Sequence, residues 1–339
     1  MRISTEQLPQ QLARSLAPLY VVHGDEPLLA LEAADRIRAK ARAEGYSERE
    51  VLIAEQHFDW SQLRMSGQSQ SLFASRRILE LRIANGKPGN DGSQALQSYC
   101  EQLPGATITL ISLPEMDWRG QKASWFGALD AAGTLVEAKQ VARAALPAWL
   151  ATRLKAQDQS ADEQTLTFIA NKVEGNLLAA YQEVQKLALL FPAGKLSLAQ
   201  VKEAVLDVAR FDVFSLGETM LSGDAAHLVR VLDGLQGEGA AAPLVLWAMT
   251  EEIRTLARVV GAVTAGQPAQ QALRDARVWG TRQALLQRNI SRYRQSQIET
   301  ALLHAAHIDR VIKGLAPGDV WDELLQLGLR FARKAAKAA

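Results

Sequence analysis

The chain has 339 residues, 48% of them apolar and 22% charged, which suits a globular protein too long for one ordinary core and divides it into two or three domains. A net charge of +1 makes it no general polyanion binder, so any contact with nucleic acid must come from local patches. One cysteine, Cys100, excludes an intrachain disulfide framework and a cysteine-based zinc site. The opening Met1-Arg2-Ile3-Ser4 lacks the apolar run of a secretory signal, and no apolar run reaches the length of a membrane span, so a cytoplasmic protein is expected.

The first 140 residues or so alternate strand-like and helix-like stretches. Leu19–Val22 reads as a buried strand running into His23-Gly24-Asp25-Glu26-Pro27. A helix is expected from Pro27 to about Glu44, with Leu28, Leu31, Ala34 and Ile37 on one face and Gly45 at its end. Val51–Ile53, Ile78–Ile83, Thr107–Ile111 and Thr134–Val136 are further strands, and Gly86–Gly92 reads as a flexible loop. Strands separated by helical segments imply an α/β domain with a mostly parallel sheet.

After Val136 the strand signals stop. Helices are expected at Leu146–Lys155, at Asp162–Val173, after a capping Asn176, and after the capping box Ser197-Leu198-Ala199-Gln200. They form a small helical domain over residues 141–210. Phe211-Asp212-Val213-Phe214 opens an all-helical third domain over 211–339, with a second capping box at Ser296–Glu299. The last helix carries Val320, Trp321, Leu324, Leu325, Leu327 and Phe331, apolar over more than half its girth, as suits a helix inside a bundle or against another subunit.

The loop after the first strand stands where a P-loop would hold phosphates. That loop needs Gly-x-x-x-x-Gly-Lys-Ser/Thr. With Gly24 as its first glycine, Leu29 takes the second glycine's place, Ala30 the lysine's and Leu31 the hydroxyl's. Asp25 and Glu26 add negative charge where phosphates would lie, so this is an ATPase-like shell without ATPase chemistry. The five histidines, His23, His57, His227, His304 and His307, offer no metal set, no Gly-x-Ser-x-Gly elbow occurs, and neither catalysis nor a cofactor is expected.

Two segments point to binding. Gln68-Ser69-Gln70-Ser71-Leu72-Phe73 sets two large apolar residues after four polar ones, either an anchor for a partner's apolar pocket or the first core residues of the next strand. Arg274, Arg277, Arg282, Arg288, Arg292 and Arg294 lie together with Trp279 and Tyr293 interleaved and only Asp275 opposing. Arg277, Trp279 and Arg282 are candidates to meet DNA by phosphate neutralisation and base stacking; the alternative is a solvated basic helix face with Trp279 packed inside.

Taken in order, Leu19–Leu29, Ser71–Arg77, Glu174–Ala179, Phe211–Phe214, Arg277–Trp279 and Val320–Leu324 closely resemble the delta subunit of the bacterial DNA polymerase III clamp loader. That resemblance implies a non-hydrolysing AAA+ relative: an α/β domain over 1–140 with a clamp-binding tip, a helical lid over 141–210 and a helical collar over 211–339. It implies that Leu72 and Phe73 enter an apolar pocket on the ring-shaped beta sliding clamp, flanked by Gln68 and Ser71. It implies partners in a hetero-pentamer, the gamma/tau ATPase subunits and delta prime, with primer-template DNA in the complex and no membrane. A subunit of the DNA-directed DNA polymerase holoenzyme without catalysis of its own follows. The rival readings are a delta-prime-like stator that never grips the clamp, an active AAA+ ATPase and a free-standing DNA-binding protein.

Overall fold

The computed structural model describes residues 1–68, 76–206 and 208–332. Its contacts divide the chain into two compact units: Met1–Leu166 with Leu177–Ser197, and Thr167–Asn176 with the residues from Leu198 onward.

The first unit holds β1 (Arg2–Ser4), α1 (Leu8–Arg14), β2 (Leu19–Gly24), α2 (Pro27–Ala43), β3 (Glu48–Ile53), α3 (Ser61–Gln68), β4 (Arg77–Arg82), α4 (Gly89–Glu101), β5 (Thr107–Leu113), α5 (Trp118–Gln121), α6 (Ser124–Ala132) and β6 (Thr134–Ala138). The six strands form one parallel sheet in the order β1-β6-β2-β5-β4-β3. In register, Val21 faces Ile111 on one side and Leu135 on the other. The period of two sorts the side chains. Leu19, Val21, Leu79, Leu81 and Ile111 pack with Leu63 of α3, Leu96 of α4 and Phe126 of α6. Tyr20, Val22, Ile78 and Leu110 pack on the opposite face with Leu8 of α1 and Ile37 of α2. Burial on both faces is what the continuous apolar runs of the inner strands require.

All five expected strands are present, and the sheet gains β1, which is too short to show alternation and pairs with β6. Two details differ from the sequence reading. Leu31 is 57% exposed, because α2 turns Leu28, Leu29, Ala33, Ala34, Ile37 and Ala41 inward instead. Residues 89–92 form the first turn of α4: Gly89 takes a φ of 72°, and a Cβ on Gly92 would sit 2.4 Å from the Trp60 ring. Gly92 serves close packing and Gly89 the left-handed turn that opens the helix, so these residues are not part of a flexible loop.

This unit continues with α7 (Leu146–Lys155), β7 (Gln159–Ala161), the start of α8 (Glu163–Val173), α9 (Leu177–Leu190) and β8 (Gly194–Leu196). The Asp162 carboxylate accepts from the Thr165 N–H at 2.9 Å and caps α8. Strand signals do not stop at Val136: β7 and β8 pair in parallel as a two-stranded sheet of three residues each. Such short pieces carry no readable period.

The second unit is helical: α10 (Leu198–Ala204), a 3-10 turn at Val213–Ser215, α11 (Leu216–Leu221), α12 (Ala225–Gly237), α13 (Ala242–Thr264), α14 (Ala269–Asp275), α15 (Gly280–Asn289), a second 3-10 turn at Ile290–Arg292, α16 (Gln295–Ile312) and α17 (Val320–Ala332). Its core joins Leu216, Leu228, Val231, Met249, Ile253, Leu256, Ile298, Ile308, Leu324, Leu327 and Phe331. Much of the apolar girth of α17 is spent inside this bundle, where Leu324, Leu327, Phe331 and Ala332 are buried and Val320, Trp321, Leu325 and Leu329 are partly covered. Close contact explains Gly328, whose added Cβ would meet Leu228 at 2.7 Å. α16 starts earlier than Ser296, at Gln295, where Gln297 Oε1 accepts the Arg294 N–H at 2.9 Å.

Candidate functional site

The strand order reverses around β2, and an open α/β sheet places its ligand beyond the carboxyl end of such a strand. Here that position is the β2–α2 loop. Gly24 adopts a φ of 147°, and a Cβ on it would lie 1.9 Å from the Ala138 carbonyl oxygen. The Glu26 N–H donates to that same carbonyl at 3.1 Å. The Glu26 side chain is buried and accepts the Leu28 N–H at 3.2 Å, while Asp25 accepts the Gln140 N–H at 3.0 Å. Burial pushes the Glu26 carboxyl up, an effect its hydrogen bond to Leu28 opposes. Beside it, burial pushes the His23 imidazole down. Glu26 thus takes one N–H of the first turn of α2, a donor that a phosphate would need, while Asp25 is held by the residue that follows the turn after β6. Leu29 is buried, Ala30 half-buried and Leu31 exposed, so none of the three presents a polar side chain. Further along α2, Glu32 receives a two-pronged bond from Arg153 of α7 at 2.7 and 2.6 Å, and that guanidinium also lies over Trp149.

The second candidate region is the pair of elements flanking the Leu72-Phe73 tip. Ser71, Leu72 and Phe73 lie outside the described residues, and Gln68 is described only as the last residue of α3. The roots are well defined. Leu63 anchors α3 in the core. Ser66 Oγ donates to Glu50 Oε1 at 2.6 Å, and Arg77, the first residue of β4, donates to Glu50 Oε2 at 3.3 Å. One carboxylate of β3 thus holds both sides of the segment. Arg76 adds a bond to the Glu44 carbonyl at 2.9 Å and lies over the Tyr46 ring. Sequence reading missed Glu50; its signal was the alternation of charge in Glu48-Arg49-Glu50, which puts Glu48 and Glu50 on one face of the strand.

Deeper in the same sheet, Glu80 is 2% exposed and accepts from Arg38 of α2 at 2.6 Å and Arg49 of β3 at 2.7 Å, with Arg82 3.5 Å away. Burial would raise this carboxyl, but the hydrogen bonds and charges of Arg49 and Arg38 outweigh it and hold it at about 2.

The arginine-rich stretch is a surface of the helical unit. Arg274, Arg277, Arg288 and Arg294 are exposed. Arg277 ends α14 in the left-handed region at φ 56°. Val278 is buried, and Trp279 stands 62% exposed on extended backbone before α15, so it is not packed in the bundle. Arg282 gives two bonds to Glu252 Oε2 of α13, at 2.9 and 2.6 Å. Asp275 is therefore not the sole opposing carboxylate; its oxygens accept from Gln267 and Gln271. Tyr293 is tied inward by its hydroxyl, which donates to the Phe331 carbonyl at 2.6 Å.

Among the described residues no cluster of His, Cys, Asp and Glu side chains is placed to hold a metal ion, and no helix is long and apolar enough to cross a membrane. His304 does have an acidic neighbour, contrary to the sequence reading: Glu323 of α17 lies 2.6 Å from its Nε2.

Over 96% of this chain and 98% of the other, the structure aligns with the Bacillus subtilis DNA clamp loader delta protein at a TM-score of 0.50 and 17% identity. The family model described as DNA polymerase III, delta subunit matches residues 20–139. The chain is 29% identical to the DNA polymerase III subunit delta of Escherichia coli strain K12, over 98% of this chain and 97% of that one. It is likewise 29% identical to that of Haemophilus influenzae, over 97% and 99%. The chain is thus similar to DNA polymerase III delta subunits over nearly its whole length, and the family model matches within its first 140 residues.

Proposed function

We propose that this chain is the clamp-loader subunit that grips the beta sliding clamp and helps open its ring for loading onto primed DNA, without hydrolysing ATP itself. The likeness to delta subunits over nearly the whole chain carries the reading. Leu72 and Phe73 enter an apolar pocket on the clamp, with Gln68 and Ser71 beside them. Burying two such side chains supplies roughly 3–6 kcal/mol before the costs of association. Binding opens the ring only so far as the open form is bound more tightly than the closed one.

The apolar side chains at Leu29, Ala30 and Leu31 and the hold of Glu26 on the Leu28 N–H support a subunit that needs no nucleotide, so Gly24, Leu29, Ala30 and Leu31 mark a degenerate P-loop. ATP then acts on sister subunits. Residues 141–210 serve as the lid domain and 211–339 as the collar that joins gamma/tau and delta prime in a hetero-pentamer. Arg277, Trp279 and Arg282 face primer-template DNA in that assembly. The protein works in the cytoplasm as a non-catalytic part of the polymerase holoenzyme.

Calorimetric titration of the beta clamp with the intact chain, beside a Leu72→Ala/Phe73→Ala variant of unchanged circular dichroism, tests the reading. Binding by the intact chain and none by the variant is expected. Equal affinity would remove the tip from the contact and restore the stator reading.

A further inference from the structure

Two guanidiniums from different helices converge on one buried hydroxyl in the helical unit. Thr255 of α13 spends its proton on the Glu251 carbonyl at 2.8 Å. Its oxygen then accepts from Arg258 Nη2 at 3.2 Å and from Arg282 Nη2 at 3.5 Å. Arg282 is also neutralised by Glu252. Arg258 is exposed and has no carboxylate partner among the described residues. Arg254, one turn earlier and equally exposed, is paired with Glu251 at 2.8 Å. The surface thus carries one spent cation and one free cation aligned by a fixed hydroxyl with a second guanidinium. Glu252 compensates Arg282, so the group keeps one net positive charge, on the side of Arg258, which a bound oxyanion would balance.

We propose that Arg258 and Arg282, aligned by Thr255, form a phosphate clasp that holds one backbone phosphodiester of nucleic acid. The proposal deepens the reading of Arg277, Trp279 and Arg282 as DNA-facing and rests on it. Arg282 follows Trp279 by three residues at the start of α15, so a strand stacked on Trp279 brings its backbone toward the pair. Arg258 enters through the fold alone, because it stands 19 positions before Arg277 in the sequence and has no cluster of its own.

The test is fluorescence anisotropy of a labelled primed-template oligonucleotide with the full chain, from about 50 to 200 mM salt. Arg258→Ala is expected to weaken binding about tenfold and to lower the salt slope by roughly 0.7–0.9, the loss of one phosphate contact. Thr255→Val, which keeps the shape and removes the bridging oxygen, should weaken binding less with the slope nearly kept. Arg254→Ala, on the same helix but already paired, should change neither. Equal losses from Arg254→Ala and Arg258→Ala would overturn the clasp in favour of a diffuse basic surface. Loss of binding in Trp279→Ala with none in Arg258→Ala would overturn it while leaving the DNA-facing reading intact. No binding by the intact chain, or no change in any variant, would overturn both.

Discussion

Replacing Glu80 by Gln tests how the sheet holds the roots of the segment proposed to meet the clamp. Glu80 sits on β4, which leads directly out of that segment, and its carboxylate ties α2 through Arg38 and the edge strand β3 through Arg49. The carboxyl stands at about 2 in the folded chain against an ordinary 4.5. A gap of that size corresponds to about 3 kcal/mol of stabilisation. The folded value lies below the unfolded one, so this stabilisation is complete above about pH 4.5 and is lost as the pH falls through about 2. At about pH 3.5 it has already dropped to roughly 2 kcal/mol. Glu80→Gln also removes the buried carboxylate that Arg38 and Arg49 share and leaves Arg38 paired with the exposed Asp35 alone, so about 3 kcal/mol is the expected loss at neutral pH. In scanning calorimetry the transition of the α/β unit should fall by roughly 6–12 °C at pH 7, and the gap from the parent chain should narrow toward pH 3.5. A gap that is absent at pH 7, or that is unchanged at low pH, would refute the charge-pairing account of this cluster.

Two further outcomes follow from the same unit. Gly24→Ala places a Cβ against the Ala138 carbonyl at a φ that L side chains avoid, and should cost roughly 3 kcal/mol or more, read as a lower urea midpoint; an unchanged midpoint would contradict the close approach. Glu50→Ala releases both Ser66 and Arg77, so it should lower clamp affinity about three- to tenfold while changing stability by about 1 kcal/mol or less, since the pair is partly exposed; unchanged affinity in calorimetry would mean that the segment needs no such hold.

The inner sheet strands were legible because buried parallel strands read as apolar runs, as Leu19–Val22 and Thr107–Ile111 do, while only the apolar end of the edge strand β3, Val51–Ile53, showed. β1, β7 and β8 were not, because three residues show no period and their place is set by a partner distant in sequence. The same limit applies to side chains. That Leu29, Ala30 and Leu31 lack the groups a P-loop needs is plain in the sequence, but the bonds that hold Asp25 and Glu26 depend on Gln140 and Ala138, from β6 and the turn after it. The arginine stretch was visible as composition. Only packing separates the exposed Trp279 from the inward Tyr293, assigns Arg282 to Glu252 and brings Arg258 beside it. The contact of Glu323 with His304 was not legible because Glu323 lies on the helix after the one carrying His304.

The central claim is a grip on the clamp that needs no nucleotide of its own. It is tested most directly by titrating the isolated chain into the beta clamp with and without ATP and magnesium, following the nucleotide in a parallel titration. The account predicts one clamp affinity in both conditions and no heat of ATP binding to the chain. Clamp binding that appears only with ATP, together with ATP bound by the chain, would contradict it and restore the active AAA+ reading.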